Sequence, residues 1–499
     1  MTSSLLADGD TDDPAGERRS LVLAGGGMRV AYQAGVIAAL EQAGLRFQHV
    51  DGSSGGTMNL SMLLSGLDAE EICQRWRTLR QRQFGAALPW RAYGSLRWPA
   101  LGSADGLREQ VFPHLGIDPA LIRRAAGVIG TYNVCNFATK TAEVVEHPDV
   151  DMDLLVAAVS LPVLMPAVER YGTPYTDAVW IRDSNVPEAV ARGSDDIWLV
   201  WCIGNTATYH NGLFRQYVHM IEMAANGSLL RDLGHVAEHW PKRPVRLHVI
   251  KPEYPLPLDP AYFTGQIDAA TLIALGYADA RRYLDNPAPL TAPWQPGITQ
   301  MREAPPGAAA RLVLAGSFTR TSPAPAGSPA PAGRDGGGME LHLQLQARGQ
   351  LQARAADGDG GPRELAVAGD VTVPGGRPHT LIESGTAVID PGAGLTLRLS
   401  WRDEAGPRTL VAVPAIGGLA VTLRADRASA DDDGADDDGA DDDDADFGGA
   451  VLGTGTIPVT WRQLARTLAS VHATDAGSAA QAVRHTADLA MALLRAAGR

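Results

Sequence analysis

Twice within residues 20–66 the chain runs from a short apolar segment into glycines and then into a segment with helical spacing. "SLVLAGGG" leads to "MRVAYQAGVIAALEQAG", and "QHVDGSSGG" leads to "TMNLSMLLSG". This repetition constrains the fold more than any other feature. Strands joined through a helix lie parallel, and a parallel sheet needs helices over its faces. The same alternation continues downstream. "DAEEICQRWRTLRQRQF" reads as a helix whose Asp68 and Glu71 have capping-box spacing, "IGTYNVCNF", "DDIWLVWCIG" and "VRLHVIKPE" read as strands, and "LFRQYVHMIEMAANGSLLRDL" as a long helix. An α/β domain is expected over residues 19–290, after a disordered N-terminus at residues 1–18 and before a linker at residues 291–310.

Beyond the linker the periodicity changes from helical to two. In "MELHLQLQA", Met339, Leu341, Leu343 and Leu345 share one face while Glu340, His342, Gln344 and Gln346 share the other, and "LTLRLSW" alternates in the same way. Half-buried strands separated by Gly/Pro turns predict a β-rich antiparallel sandwich or barrel over residues 311–460. Flexible loops are expected at residues 322–338, which hold the duplication "SPAPAGSPAPAG", and at residues 428–448, which hold an Asp tract. Two helix-like segments close the chain over residues 461–499.

At 499 residues the chain exceeds one ordinary core, and 45% hydrophobic with 20% charged residues is globular usage. The formal charge of −14 is concentrated in residues 431–446, whose eleven Asp leave the remainder close to neutral. No basic face argues for nucleic acid, and none is expected as a partner. Cys73, Cys135 and Cys202 have neither disulfide nor zinc spacing, which favours a reducing compartment. The acidic start lacks the form of a secretory signal, and the apolar run at residues 154–168 is interrupted by Pro162 and Pro166. A soluble, cytoplasmic protein is expected.

The sharpest chemical signal is "DGSSGG", in which Gly52, Ser54 and Gly56 form Gly-x-Ser-x-Gly where a strand meets a helix. A serine at such an apex needs a strained backbone, and small neighbours let the turn close and a substrate approach. The helix beginning near Gly55 would direct its free N–H groups at a developing oxyanion. Gly25, Gly26 and Gly27 form a second anion-friendly backbone, suited to an oxyanion hole or a phosphate cradle. A dinucleotide fingerprint is incomplete, since Val30 stands at its sixth position.

In this order, "GGGMRVAYQAGVIAALEQAG", then "DGSSGG", then "YTDAVWIRDSNVPEAVARGSDDIWLV", the sequence resembles the patatin-like phospholipases over roughly residues 20–288. The resemblance implies a three-layer α/β/α domain and a Ser–Asp dyad with Ser54 as nucleophile. Asp177 takes the dyad position, with Asn185 and Pro187 at the later ones. Asp183 is the alternative dyad acid, because the interval from Asp177 to Pro187 is about two residues longer than the family usually has. Gly25, Gly26, Gly27 and Arg29 would form the oxyanion loop, with Arg29 holding the loop or attracting a phosphate head group. Val30 and Ala178 stand where the family usually has glycine.

The expected function is a serine acyl hydrolase acting on acyl esters of lipids, with no cofactor and no metal. A catalytically silent lipid-binding scaffold and an acyltransferase remain alternatives. A Ser–His–Asp arrangement through His248 ranks lower, because "VRLHVI" is an ordinary strand context. Peripheral membrane contact is the further partner expected, with "LPWRAYGSLRWPALG" as a rim or, preferably, a loop packed on the core. The terminal helix is read as docked on the β-domain, and the Asp tract as a solvated linker with no EF-hand spacing.

Overall fold

The computed structural model describes residues 5–6, 18–84, 100–257, 259–263, 267–302, 307–320, 336–347, 363–390, 393–404, 406–415, 418–425, 450–459, 463, 467–468, 470–474 and 490. The chain divides into two compact units, Met1–Glu303 and Ala304–Arg499.

In the first unit β1 (Arg19–Leu23), α1 (Ala31–Gln42), β2 (His49–Ser53), α2 (Gly56–Leu64) and α3 (Ala69–Thr78) follow one another as the repeated strand–glycine–helix pattern requires. Next come β3 (Ile129–Asn136), β4 (Thr141–Glu146), α4 (Met152–Ala158), β5 (Val168–Arg170), β6 (Thr173–Asp177), α5 (Val186–Ala191) and β7 (Asp196–Val200). The unit is completed by α6 (Leu213–His239), β8 (Arg246–Ile250), α7 (Asp259–Phe263) and α8 (Ala269–Asp285). Asp68 caps α3 by accepting the Glu71 N–H at 2.8 Å, as the spacing predicts.

The strand order is β5-β6-β3-β2-β1-β7-β8, with β4 on β3. The central strands β3, β2, β1, β7 and β8 are parallel, whereas β4, β5 and β6 are paired antiparallel at one side. The order reverses at β1, which places a crevice beyond the carboxyl ends of β1 and its neighbours. Both faces of β1 are covered. Val22 packs with Val186 and Val190 of α5 and Leu229 of α6, while Leu21 and Leu23, on the opposite face, are fully buried.

Within the segment expected to be disordered, Leu5 and Leu6 are buried, and Leu6 bridges in parallel to Phe47. Apolar side chains that reach the sheet in this way gain more from burial than from solvation. The stretch read as a linker is likewise structured at both ends. Met301 packs with the first unit's core, and β9 (Gly307–Arg320) starts inside it.

The second unit is an eight-stranded antiparallel barrel, which resolves the choice between sandwich and barrel. After β9 it runs through β10 (Gly336–Ala347), β11 (Arg363–Thr372), β12 (Thr380–Leu381), β13 (Ser384–Asp390), β14 (Gly394–Asp403), β15 (Gly406–Ala415), β16 (Gly418–Ala425) and β17 (Val451–Pro458). β9 pairs with both β10 and β17 and so closes the barrel, with β12 attached to β11 and β18 (His472–Thr474) to β9. Met339, Leu341, Leu343 and Leu345 enter its core together with Leu397, Leu399 and Trp401, the faces chosen by the period-two pattern. Closure removes the open edges that such strands would otherwise expose.

The duplication at residues 322–333, the Asp tract, most of "LPWRAYGSLRWPALG" and most of the terminal helices lie outside the described residues. Cys73, Cys135 and Cys202 are free and buried. Among the described residues, no helix is long and apolar enough to cross a membrane.

Candidate active site

β1 and β2 are adjacent and parallel, with Leu23 opposite Gly52, so the glycine block and Ser54 leave the sheet at the same end. Ser54 sits immediately after β2 with φ of 49°, the left-handed region that a side-chain-bearing residue rarely occupies. Gly56 permits this turn. A methyl group there would stand 2.1 Å from the Leu23 carbonyl oxygen. The turn is pinned by the Ser53 hydroxyl, which donates to the Arg182 carbonyl at 3.0 Å.

The register of the antiparallel strands brings in the acid. Ser53 lies opposite Asn133 on β3, and the next residue, Val134, lies opposite Asp177 at the end of β6. Asp177 therefore ends its strand level with the serine turn, and the Ser54 hydroxyl donates to its Oδ2 at 2.6 Å. Its other oxygen accepts the Val179 N–H at 2.9 Å. Both side chains are buried. Burial pushes the Asp177 carboxyl up to about 7, against the opposing pull of those two hydrogen bonds.

Asp183, the alternative acid, is placed differently. It is fully buried, and both its oxygens accept the Gly25 N–H, each at 3.1 Å. Burial and then the nearby charge of Asp177 raise it well above the ordinary carboxylate range, while the Gly25 hydrogen bond and Arg29 act in the opposite direction. Gly25 is wedged between these groups. A methyl group on it would come within 2.2 Å of Asp183 Oδ1 and 2.7 Å of Ser54 Cβ. The three glycine N–H groups are consequently not equivalent: that of Gly25 is engaged, whereas Gly26 and Gly27 donate no hydrogen bond among the described residues.

Arg29 is buried behind this loop, and its Nε donates to the Gly26 carbonyl at 2.9 Å, so it holds the loop. Asn185 caps α5 and donates to Asn133 at 2.8 Å, while Pro187 lies in the first turn of that helix. Asn133 in turn donates to the buried Asp51 carboxylate at 2.9 Å and to the Gly52 carbonyl at 3.1 Å. His248 is remote in role as well as in sequence. Its Nε2 lies 2.9 Å from Asp196 and its Nδ1 3.0 Å from the Tyr283 hydroxyl, and its ring stacks on Trp198.

Three supporting residues escaped the sequence reading. Gln33 of α1 donates to the Ala24 carbonyl at 2.6 Å, Asn59 of α2 donates to Gln33 and to the Val30 carbonyl at 2.9 Å, and Trp76 donates to Asn59 at 2.8 Å. Their signal was a polar residue on helices whose other faces are apolar: α1 is buried from Ala31 through Leu40. Burial and then the charge of Asp177 raise the Tyr217 hydroxyl, which donates to the Pro162 carbonyl at 2.7 Å. Next to Pro162, Val163 is exposed.

A strand-apex serine thus stands against a buried aspartate and beside a glycine loop, on a mainly parallel α/β sheet. Residues 21–192 match the patatin-like phospholipase family, so this stretch is a patatin-like phospholipase domain, of the lipid ester hydrolase class. Two solved structures resemble the chain. VipD from Legionella pneumophila is 14% identical over 57% of this chain and 70% of its own, with a TM-score of 0.29. The type III effector protein ExoU is 14% identical over 54% of this chain and 53% of its own, with a TM-score of 0.24. Among the curated proteins no sequence matches the chain.

Proposed function

We propose that the first unit hydrolyses acyl esters of lipids through Ser54 and Asp177. The observation that carries this reading is the 2.6 Å hydrogen bond from the Ser54 hydroxyl to a buried carboxylate, at a backbone angle of 49°. Ser54 Oγ attacks the ester carbonyl and passes its proton to Asp177 Oδ2. The carbonyl oxygen becomes an oxyanion held by the N–H groups of Gly26 and Gly27 and by the amino end of α2. Collapse expels the alcohol, which takes the proton back from Asp177, and leaves an acyl-serine. Water then attacks, Asp177 accepts its proton, and the carboxylic acid leaves as Ser54 is restored.

An aspartate is an adequate base here because burial raises its proton affinity towards that needed at neutral pH. The patatin-like phospholipase match over residues 21–192 supports a lipid acyl chain as the group to be accommodated, and peripheral contact with a lipid surface belongs to the same proposal. Three free, buried thiols support a reducing, cytoplasmic setting.

The test is labelling by a fluorophosphonate together with release of p-nitrophenol from a short-chain ester across a pH series. Labelling of Ser54 and a rate that rises through pH about 7 are expected, as Asp177 loses its proton. Folded protein that neither labels nor turns over ester would sink the reading in favour of a silent lipid binder. Diversion of product from free acid by an added alcohol would shift it to an acyltransferase.

A further inference from the structure

The barrel carries a cluster that no part of the hydrolase uses. His342 of β10 and Asp370 of β11 are direct cross-strand partners, and His379 stands just before β12, which pairs with β11 at Asp370 itself. By strand alternation these residues lie on the face opposite the core residues Leu341 and Val371. Asp370 is nevertheless almost wholly buried, while the two imidazoles are about a quarter exposed, at 28% and 26%. His379 Nδ1 lies 2.8 Å from Asp370 Oδ1, and His342 Nδ1 lies 3.4 Å from the same oxygen. One donor atom from each of the three residues can be chosen so that all lie within 4.8 Å of one another.

We propose that His342, Asp370 and His379 bind a divalent transition-metal ion of the zinc class. Two imidazole nitrogens and one carboxylate oxygen are donors that such ions accept, and bonds of about 2.1 Å in a tetrahedron put neighbouring donors about 3.4 Å apart. The observed separations need only small side-chain adjustments to reach this. The scaffold is rigid where it matters: two donors sit on paired strands, and the third is fixed by its own backbone. His379 adopts φ of 53°, and its N–H donates to Thr372 Oγ1 at 2.9 Å, which turns the imidazole towards Asp370. Maintaining a histidine in the left-handed region costs free energy that a mere loop residue would avoid.

Three protein donors leave at least one coordination position for water. A candidate partner for that water lies on the same face: Gln344, two residues along β10 from His342, is buried and its Oε1 has no hydrogen-bond partner among the described residues. No sequence motif marks this cluster, whose members stand 28 and 9 positions apart.

The experiment is calorimetric titration of zinc into the chelator-treated full chain, with the visible spectrum of a cobalt(II) complex as a second readout. One ion per chain is expected, with an intense four-coordinate cobalt spectrum. Affinity should fall at acid pH, because an imidazole must be neutral to bind a metal. His379→Asn retains a residue tolerant of the left-handed backbone, and His342→Gln keeps a polar strand residue, so both are expected to fold. Each should weaken binding by more than the about 100-fold typical of losing an outer-sphere partner. No stoichiometric zinc binding by the folded wild type, or binding that survives the double substitution, overturns the proposal.

Discussion

The two units treat buried charge in opposite ways. The α/β unit buries the carboxylates of Asp51, Asp177, Asp183 and Asp196 around and beneath its sheet, while the barrel fills its interior with aliphatic and aromatic side chains. Among the barrel's described residues, Asp370 is the one buried carboxylate, and it too has histidines against it. Burying a carboxylate is costly unless it is hydrogen-bonded or neutralised. Such groups therefore point to chemistry or binding more directly than shape does, and they are where the proposed ester chemistry of the first unit and the proposed ion site of the second fall.

The largest effect is expected from removing the nucleophile. Ser54→Ala should abolish fluorophosphonate labelling and reduce ester turnover by more than about 10⁴-fold, because the acyl-enzyme can no longer form. Retention of turnover would break the comparison, since the reaction would then lie elsewhere in the molecule.

Asp177→Asn should follow, with turnover lowered by about 10²- to 10⁴-fold, the usual worth of a positioned base. Stability separates this loss from simple misfolding. The folded carboxyl is raised from 3.8 to about 7, so its stabilising contribution is full at low pH and is lost as pH rises towards and through 7. The asparagine variant escapes that loss. Its Tm relative to wild type is expected to be higher at about pH 8 than at about pH 4, in paired thermal melts.

Gly25→Ala tests the glycine block by steric rather than electrostatic means. The added methyl must displace Asp183 or Ser54, from which it would stand 2.2 and 2.7 Å away. A loss of about 10²-fold in kcat, comparable to losing an oxyanion donor, is expected with the labelling rate reduced in parallel. Unchanged kinetics would remove the glycine loop from the site.

Much of this was legible in the sequence, for reasons that differ between elements. The serine turn and the glycine block were readable because local backbone demands restrict the residue types allowed, whereas Asp177 came only through the family resemblance, which kept Asp183 as an alternative. The barrel strands were readable through period two, but their closure was not, since pairing of β9 with β17 joins segments more than a hundred residues apart. Val30 and Ala178 read as departures, yet both are fully buried, and Val30 packs where a methyl group on Gly55 would touch it at 2.7 Å. They fill space behind the turn without entering it. The Gln33–Asn59–Trp76 chain and the His342–Asp370–His379 cluster stayed hidden because tertiary contacts alone assemble them.

The smallest effect is expected at Asp183, and it sharpens the comparison within the first unit. If burial alone conferred a catalytic role, Asp183→Asn would be as damaging as Asp177→Asn, for both carboxyls are enclosed and both are raised. Position argues otherwise: Asp183 meets the Gly25 N–H and Asp177 meets the Ser54 hydroxyl. With Asp177 ionised, its charge drives Asp183 further towards the protonated form, which an amide imitates in shape and neutrality. The asparagine oxygen can still accept the Gly25 N–H. Turnover of Asp183→Asn should stay within about 10-fold of wild type, less than the usual effect of losing a general base. A loss matching that of Asp177→Asn, in protein that melts like wild type, would transfer the proton-accepting role to Asp183.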